Sequence, residues 1–182
     1  MKAASTAAYE QSGLSSGELE HLSAVARRAA EVGGEQLRQH FGRLQQVREK
    51  GRSGDLVTEA DHAAEAAVLA LLEAETPQIG VLAEESGRRP RPGELEWCVD
   101  PLDGTTNYAH SYPLFATSVG LCWRGQPLLG ALAAPGLEQL YWAAPGLGSW
   151  CNGSRLAVSN CPSLEQALLV TGFAYDRRSR LD

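Results

Sequence analysis

The chain has 182 residues, of which 43% are hydrophobic and 21% charged, and its formal net charge at pH 7 is −6. This hydrophobic content allows a substantial buried core and excludes an intrinsically disordered chain. The acidic balance argues against a nucleic-acid partner, because phosphate backbones are bound by clustered lysines and arginines. The two dense basic patches, residues 88–91 and 177–180, are interpreted as a solvated loop and a solvated stretch near the end of the sequence.

The four cysteines, at positions 98, 122, 151 and 161, lie far apart and show no Cys-x-x-Cys spacing. They indicate neither a zinc site nor a disulfide framework, and reduced thiols are expected. Residues 1–17 lack the apolar core of a secretion signal, and no later run approaches the roughly 20 apolar residues of a membrane span. We therefore expect a soluble, cytoplasmic protein without a membrane partner, with a flexible N-terminus over residues 1–17 and one folded portion over residues 18–182.

Two amphipathic helices are predicted in the first half of the chain. Residues 15–18 form a capping-box pattern, and apolar residues then recur at helical spacing over residues 19–41 until a glycine ends the helix. The second helix begins at Thr58 or Asp61 and ends at Glu75, just before a proline. The stretch between the helices begins with a short extended segment.

Short apolar runs separated by turns predict strands in the rest of the chain. One run covers residues 79–83 and a second covers residues 97–99. The runs that follow indicate an antiparallel meander: residues 116–123, 128–134, 139–143 and 167–171. The predicted architecture is therefore a pair of helices packed on an antiparallel sheet, an α/β arrangement of the α+β kind.

The most informative stretch of the chain follows the strand over residues 97–99. Pro101 lacks an N–H group and restricts Asp100 to an extended backbone, so the strand is predicted to end on that acid. Gly104 then permits a turn, and Thr105 can open a short helix whose free N–H groups favour an anion. Such a segment is suited to bind a phosphate together with a metal ion.

Acidic residues from two stretches support a cation at this place. Asp100 and Asp103 repel each other unless a positive charge lies between them. Glu84 and Glu85 follow the other strand-like run, and acids at the ends of two strands can converge on one ion. Carboxylate ligands of this kind suit Mg²⁺. The structural alternative is an ordinary Asp-Gly turn together with a solvated strand end.

Three segments together resemble the inositol monophosphatase family. They are the Asp-Pro-Leu-Asp-Gly-Thr-Thr-Asn run at 100–107, the Ala-Glu-Glu-Ser run at 83–86, and Lys50 with the Asp-Leu-Val-Thr-Glu-Ala-Asp run at 55–61. The similarity extends from about Leu19 to the end of the chain. It implies a layered α/β sandwich and the Mg²⁺-dependent hydrolysis of a small phosphate monoester.

The resemblance also implies a set of metal ligands. Glu84, Asp100 and the backbone carbonyl of Leu102 match the ligands of a first metal ion. Asp100 and Asp103 match ligands of a second ion, so that Asp100 would bridge the two. Two ions about 3.5 to 4 Å apart would bind the phosphate, activate a water nucleophile and stabilise the leaving alkoxide.

The residues that would contact phosphate and water follow from the same resemblance. Gly104 and Thr105 match the phosphate-binding turn, with Asp103 beside it on the substrate side. Thr105 and Glu84 would orient and deprotonate the attacking water, and Asp61 would accept a hydrogen bond from the Thr105 hydroxyl. Two further positions match the rim of the site: Lys50 and Thr58.

Members of this family continue to a Trp-Asp segment whose aspartate completes the second metal site, whereas this sequence stops at Asp182. Asp176 and Asp182 do not stand in an equivalent context. We therefore expect a C-terminally shortened member, or fragment, with an incomplete second metal site and without its second sheet layer. The apolar face so exposed favours a homodimer or other self-association.

Two hypotheses of different classes follow for the function. The first is a phosphatase whose partner is a small phosphorylated polyol, inositol monophosphate foremost, with histidinol phosphate, fructose bisphosphate and phosphoadenosine phosphate as alternatives. The second is a non-catalytic interaction or regulatory protein that keeps the phosphatase fold. Magnesium-dependent release of phosphate distinguishes the two.

Overall fold

Two long helices cover one face of a mixed β-sheet in the structure, a computed structural model that describes residues 4–44, 47–49 and 56–171. Four helices are present in these ranges: α1 (Ala4–Ser12), α2 (Ser16–His40), α3 (Glu59–Glu75) and α4 (Thr105–Ala109). The arrangement confirms the predicted α/β class with a helix pair packed on a sheet. None of the helices in the described ranges is long and apolar enough to cross a membrane.

Ten strands form two sheets in the described ranges. They are β1 (Val47–Glu49), β2 (Leu56–Thr58), β3 (Gly80–Ala83), β4 (Gly87–Arg89), β5 (Leu95–Asp103), β6 (Ala116–Trp123), β7 (Gln126–Ala134), β8 (Gln139–Ala144), β9 (Gly148–Cys151) and β10 (Ser154–Arg155). β1 pairs with β2, and the other eight strands follow the order β10-β9-β8-β7-β6-β5-β3-β4. All neighbours are antiparallel except β3 and β5, which run parallel.

Capping boxes start both long helices. At α2 the Ser15 hydroxyl accepts a hydrogen bond from the Glu18 N–H at 3.2 Å, and the Glu18 carboxylate accepts one from the Ser15 N–H at 2.8 Å. At α3 the N-cap is Thr58, and Asp61 closes the same kind of reciprocal pair. Each pair satisfies backbone donors that a helix start leaves without an intrahelical partner. Both helix starts therefore agree with the sequence prediction.

The main core lies between the helices and the sheet. Trp97 on β5 is fully buried there, and its indole N–H donates to the Thr76 hydroxyl at 3.0 Å. α2 approaches the sheet closely at Gly33, where an added Cβ would lie 2.6 Å from Cγ2 of Thr117. Only glycine fits at that position without a shift of the helix or of the Thr117 and Val68 side chains.

A smaller apolar cluster lies at one end of this core. Its buried members are Leu37, Ala60, Ala64, Leu102, Tyr108 and Phe115. The rings of Tyr108 and Phe115 meet edge to face with their centroids 4.7 Å apart, and Phe41 packs against both. Because the cluster joins α2 and α3 to the end of β5 and to α4, it supports the segment singled out in the sequence.

The structure corrects two expectations about the ends of the chain. Residues 4–12, expected to be flexible, form α1, whose Ala8 is buried against the main core; alanine-rich sequence favours helix. Residues 167–171, expected to form a strand, take no regular structure, and Leu168 and Val170 are more than nine-tenths exposed. A strand needs a neighbour to bond to, which a local apolar run does not supply.

Two further differences concern the strands near the acidic motif. β5 does not end at Asp100 but continues to Asp103, with a break in its pairing to β6 between these two residues, because Pro101 interrupts the ladder without stopping the chain's extended course. The basic run after Glu85, expected to be a loop, contributes β4, and Arg88 forms an ion pair with Glu96 at 2.9 Å. The predicted roles of Lys50, Asp176, Asp182 and the basic patch 177–180 lie outside the described residues.

Candidate metal and phosphate site

The parallel pairing of β3 with β5 brings the two acidic stretches together. Ala83 is the register partner of Val99, and the Glu84 N–H donates to the Val99 carbonyl at 3.1 Å. The residue after β3 therefore lies beside Asp100. Both strands run in the same direction, so their acids emerge at the same end of the sheet.

The neighbouring acids at this end perturb Asp100. Burial raises the pKa of Asp100 to about 7, and the charge of Glu84, a hydrogen bond with Glu84 and the charge of Asp103 act in the same direction. A hydrogen bond from the Leu102 N–H to Oδ1 of Asp100, at 3.1 Å, acts the other way. Asp100 is half-buried, while Glu84 and Asp103 are exposed, so one side of the group is open to solvent. Such a group holds a proton or a cation at neutral pH.

A glycine turn follows the acids directly. Gly104 has φ +87°, and an added Cβ would lie 3.0 Å from the Leu114 carbonyl oxygen. The left-handed backbone and the close approach both require glycine here. Thr105 then begins α4, so the N–H groups of Gly104 and Thr105 lie where a helix offers them no intrahelical partner. These donors stand next to the carboxylates along the chain.

The hydroxyl predicted to contact Asp61 has another acceptor in this structure. Thr105 donates its hydroxyl to the Leu102 carbonyl at 3.0 Å. Asp61 is 1% exposed, and its Oδ2 accepts hydrogen bonds from the N–H and hydroxyl of Thr58 at 2.8 and 2.7 Å. A Thr105–Asp61 bond would require the hydroxyl to turn away from Leu102. Thr58, predicted at the rim, is 2% exposed and caps α3.

Three supporting residues were not recognised in the sequence. The buried Thr117 donates its hydroxyl to the Pro101 carbonyl at 2.8 Å, directly after Asp100. Tyr108 donates its hydroxyl to the Leu37 carbonyl at 2.6 Å, which ties α4 to α2. Glu65 is 5% exposed and accepts a hydrogen bond from the Glu85 N–H at 2.9 Å. The position of Glu65, one helical turn after Asp61 on an apolar helix face, was the one available signal.

The oxygen-only donor set fits a hard divalent cation such as Mg²⁺ or Mn²⁺. Within the described residues no group of three or more His, Cys, Asp or Glu side chains is already spaced as a metal cage. The structure assembles Glu84 with Asp100, while Asp103 acts on Asp100 through its charge. The Leu102 carbonyl, which accepts from Thr105, keeps a second lone pair for a ligand. A cation here would offset both the burial of the Asp100 carboxylate and its repulsion by Glu84 and Asp103, which together raise the pKa of Asp100.

Comparison with known proteins shows the family of the chain. The family profile described as "Inositol monophosphatase family" matches residues 18–182. The chain belongs to the inositol monophosphatase family. Because the match covers most of the chain, it includes both acidic stretches, the glycine turn and the two long helices of this family member.

Individual relatives show how much of a family protein the chain represents. It is 44% identical over 162 residues to "Inositol-1-monophosphatase" of Synechocystis sp., covering 87% of this chain and 55% of the relative. It is 39% identical over 160 residues to "Fructose-1,6-bisphosphatase/inositol-1-monophosphatase" of Aquifex aeolicus, covering 87% and 60%. The solved inositol monophosphatase of Anabaena (Nostoc) sp. superposes with a TM-score of 0.76 at 40% identity, covering 88% and 58%. The chain thus spans a little more than half the length of these relatives.

Proposed function

We propose that this chain carries the metal- and phosphate-binding part of a phosphatase that hydrolyses small phosphate monoesters, inositol monophosphate foremost. The observation that carries the proposal is the meeting of Glu84 with Asp100 immediately before the Gly104 turn. Membership of the inositol monophosphatase family supports it. Acids that attract a cation thus stand beside backbone donors that suit phosphate oxygens.

The metal ligands in this proposal are Glu84, Asp100, Asp103 and the Leu102 carbonyl. When bound, Mg²⁺ supplies positive charge to the phosphate and lowers the pKa of a coordinated water. The half-buried Asp100 is the central ligand, because both other carboxylates act on its charge. The exposed Asp103 lies on the solvent side, from which a substrate enters.

The remaining residues bind and orient the reacting groups. The N–H groups of Gly104 and Thr105 donate to phosphate oxygens. Glu84 accepts the proton of the attacking water, and the Thr105 hydroxyl positions that water once it turns away from Leu102. In that state Asp61, which Thr58 holds at the start of α3, accepts a hydrogen bond from the Thr105 hydroxyl.

Phosphate release tests this proposal. Purified protein is assayed with inositol monophosphate in Mg²⁺ and in chelator, and with fructose 1,6-bisphosphate as the second substrate, because one relative's name includes both. We expect Mg²⁺-dependent turnover that Asp100→Asn lowers by about 100-fold or more, the loss typical of a removed electrostatic or metal contact. Glu31→Gln, an exposed acid on α2, is the matched control and keeps wild-type turnover.

Two outcomes contradict the proposal in different ways. Turnover that persists in chelator would remove the role of the metal. Mg²⁺ binding without hydrolysis of either ester would leave a metal-binding protein of the interaction class. Equal turnover by Asp100→Asn and Glu31→Gln would show that the phosphatase activity does not use this site.

A further inference from the structure

Two thiols contact each other on neighbouring strands of the eight-stranded sheet. The proposed hydrolysis does not use them. The Cys98 thiol on β5 donates to the Cys122 sulfur on β6, with the two Sγ atoms 3.7 Å apart. Both residues are free cysteines and half-buried. Cys151 and Cys161, by contrast, lie on β9 and in the exposed segment after β10. The chain therefore holds one close pair of thiols and two cysteines elsewhere in the described residues.

Strand register explains the contact and places it near the acids. Cys98 is opposite Gly120 and Cys122 is opposite Glu96, so the two cysteines are diagonal neighbours on one face of the sheet. Residues two apart on a strand share a face, which puts Asp100 on the same face as Cys98. Along β5, a single residue thus lies between Cys98 and Asp100, the central acid of the proposed metal site.

We propose that Cys98 and Cys122 form a reversible disulfide when the protein meets a peroxide, and that this bond weakens divalent-cation binding at Asp100. The sulfur of one thiol attacks a peroxide oxygen, the O–O bond breaks, the thiol proton passes to the departing hydroxide, and a sulfenic acid and one water result. The second thiol attacks that sulfur, the S–S bond forms, the S–O bond breaks, and a second water leaves. The thiols lose two electrons and the peroxide gains them. The effect on the cation rests on the proposed function.

The geometry links the bond to the acid. The sulfur atoms must close from 3.7 Å to about 2.05 Å. Diagonal neighbours in antiparallel strands lie about 7–8 Å apart at Cα, beyond the usual disulfide range of about 4.4–6.8 Å, so β5 and β6 must shift toward each other.

The pairing is already irregular on both sides of the thiols. Register shifts occur between Leu121 and Cys122 in the β6–β7 ladder and between Asp100 and Asp103 in the β5–β6 ladder. A shift of β5 is therefore taken up at Asp100, whereas Glu84 follows β3 on the other side of β5. The separation of Glu84 and Asp100 changes as a result, and metal ligands lose affinity when their geometry is disturbed.

Peptide mapping tests the bond itself. The experiment uses the full chain with Cys161→Ser, because the exposed Cys161 would link separate copies. No lysine or arginine lies between positions 98 and 122, so trypsin leaves both cysteines in one peptide. Adding a protease that cleaves before aspartate separates them at Asp100 and Asp103, and tryptic cleavage after Arg124 leaves Cys122 in a fragment without Cys151. After peroxide we expect the two fragments to stay joined until dithiothreitol is added; separate fragments would overturn the proposal.

Binding of Mn²⁺, followed by electron paramagnetic resonance, tests the link to the metal site. We expect affinity about tenfold lower after oxidation, restored by dithiothreitol, as for a disturbed outer shell of a metal site. Cys122→Ser and Cys122→Ala should keep full affinity in peroxide, and the matched control Cys151→Ser should respond like the parent. A linked pair with unchanged Mn²⁺ affinity would overturn the coupling. Linked peptides in a protein that never binds Mn²⁺ would support the bond and contradict the proposed function.

Discussion

Asp100 lowers the free energy of unfolding of the metal-free protein at neutral pH, because its carboxylate is half-buried beside two other acids. Its pKa is raised to about 7 in the fold, whereas an aspartate in an unfolded chain titrates near 3.9. Between these two pH values the folded protein binds more protons than the unfolded one. The free energy of unfolding therefore falls as the pH rises from about 4 to about 7.

Asp100→Asn should stabilise the metal-free protein while it removes the proposed activity. The amide carries no charge, and its oxygen can still accept from the Leu102 N–H. In chelator at pH 8 we expect the free energy of unfolding to rise by about 1 kcal/mol, a figure reduced for solvent screening of a partly exposed group. At pH 4 the carboxyl is protonated, so the two proteins should unfold alike.

Thermal unfolding at both pH values measures this difference. Added Mg²⁺ should stabilise the wild type and leave Asp100→Asn almost unchanged, because a ligand stabilises the state that binds it. The interpretation would be wrong if Asp100→Asn were destabilised equally at pH 4 and pH 8, since that result would indicate lost packing.

At the scale of elements, the turn at Gly104 packs against the loop that ends at Leu114, and this loop packs against a second turn. The Asn107 side-chain amide donates to the Leu114 carbonyl at 2.8 Å, and that carbonyl also lies against Gly104. The preceding Pro113 rests on the 3₁₀ turn Pro135–Leu137, where an added Cβ on Gly136 would lie 2.3 Å from the Pro113 carbonyl oxygen. We therefore expect a displacement of this turn to move Pro113 and the Leu114 carbonyl that lies against Gly104.

Gly136→Ala should therefore disturb phosphate binding from outside the site. The clash is with backbone, which cannot rotate away, so we expect a loss of about 1–3 kcal/mol in stability and a raised KM for the phosphate ester. Gly17→Ala is the matched control, because its Cβ on α2 meets nothing within 4 Å. Urea unfolding and steady-state kinetics measure both effects. Wild-type stability and KM in Gly136→Ala would contradict the proposed support.

The parts of the fold that the sequence predicted are those with local causes. The capping box at Ser15 and the helix start at Thr58 lie within a few residues of the helices concerned, and the left-handed backbone angle at position 104 itself requires glycine. The supports of the site were missed because their partners are distant: Thr117 contacts a residue 16 positions away, and Tyr108 one 71 positions away. Sequence patterns alone do not encode such pairings.

At the scale of the whole molecule, the exposed segment after β10 leads us to predict self-association. The chain spans a little more than half the length of its relatives. The segment over residues 156–170 presents several apolar side chains to solvent. Leu168 is 96% exposed and Val170 is 95% exposed. Exposed apolar patches of this kind promote association, so the self-association expected from the sequence stays a prediction.

Sedimentation velocity across a range of protein concentrations measures this association. We expect larger species as concentration rises, and a shift toward monomer in the double variant Leu168→Asp with Val170→Asp, which removes apolar surface and adds repulsion. Ser159→Asp with Asn160→Asp adds the same charge at two exposed polar positions of the same segment and is the matched control. Because the two variants differ in the apolar surface removed, an equal shift in both would assign the effect to charge alone and contradict an apolar contact.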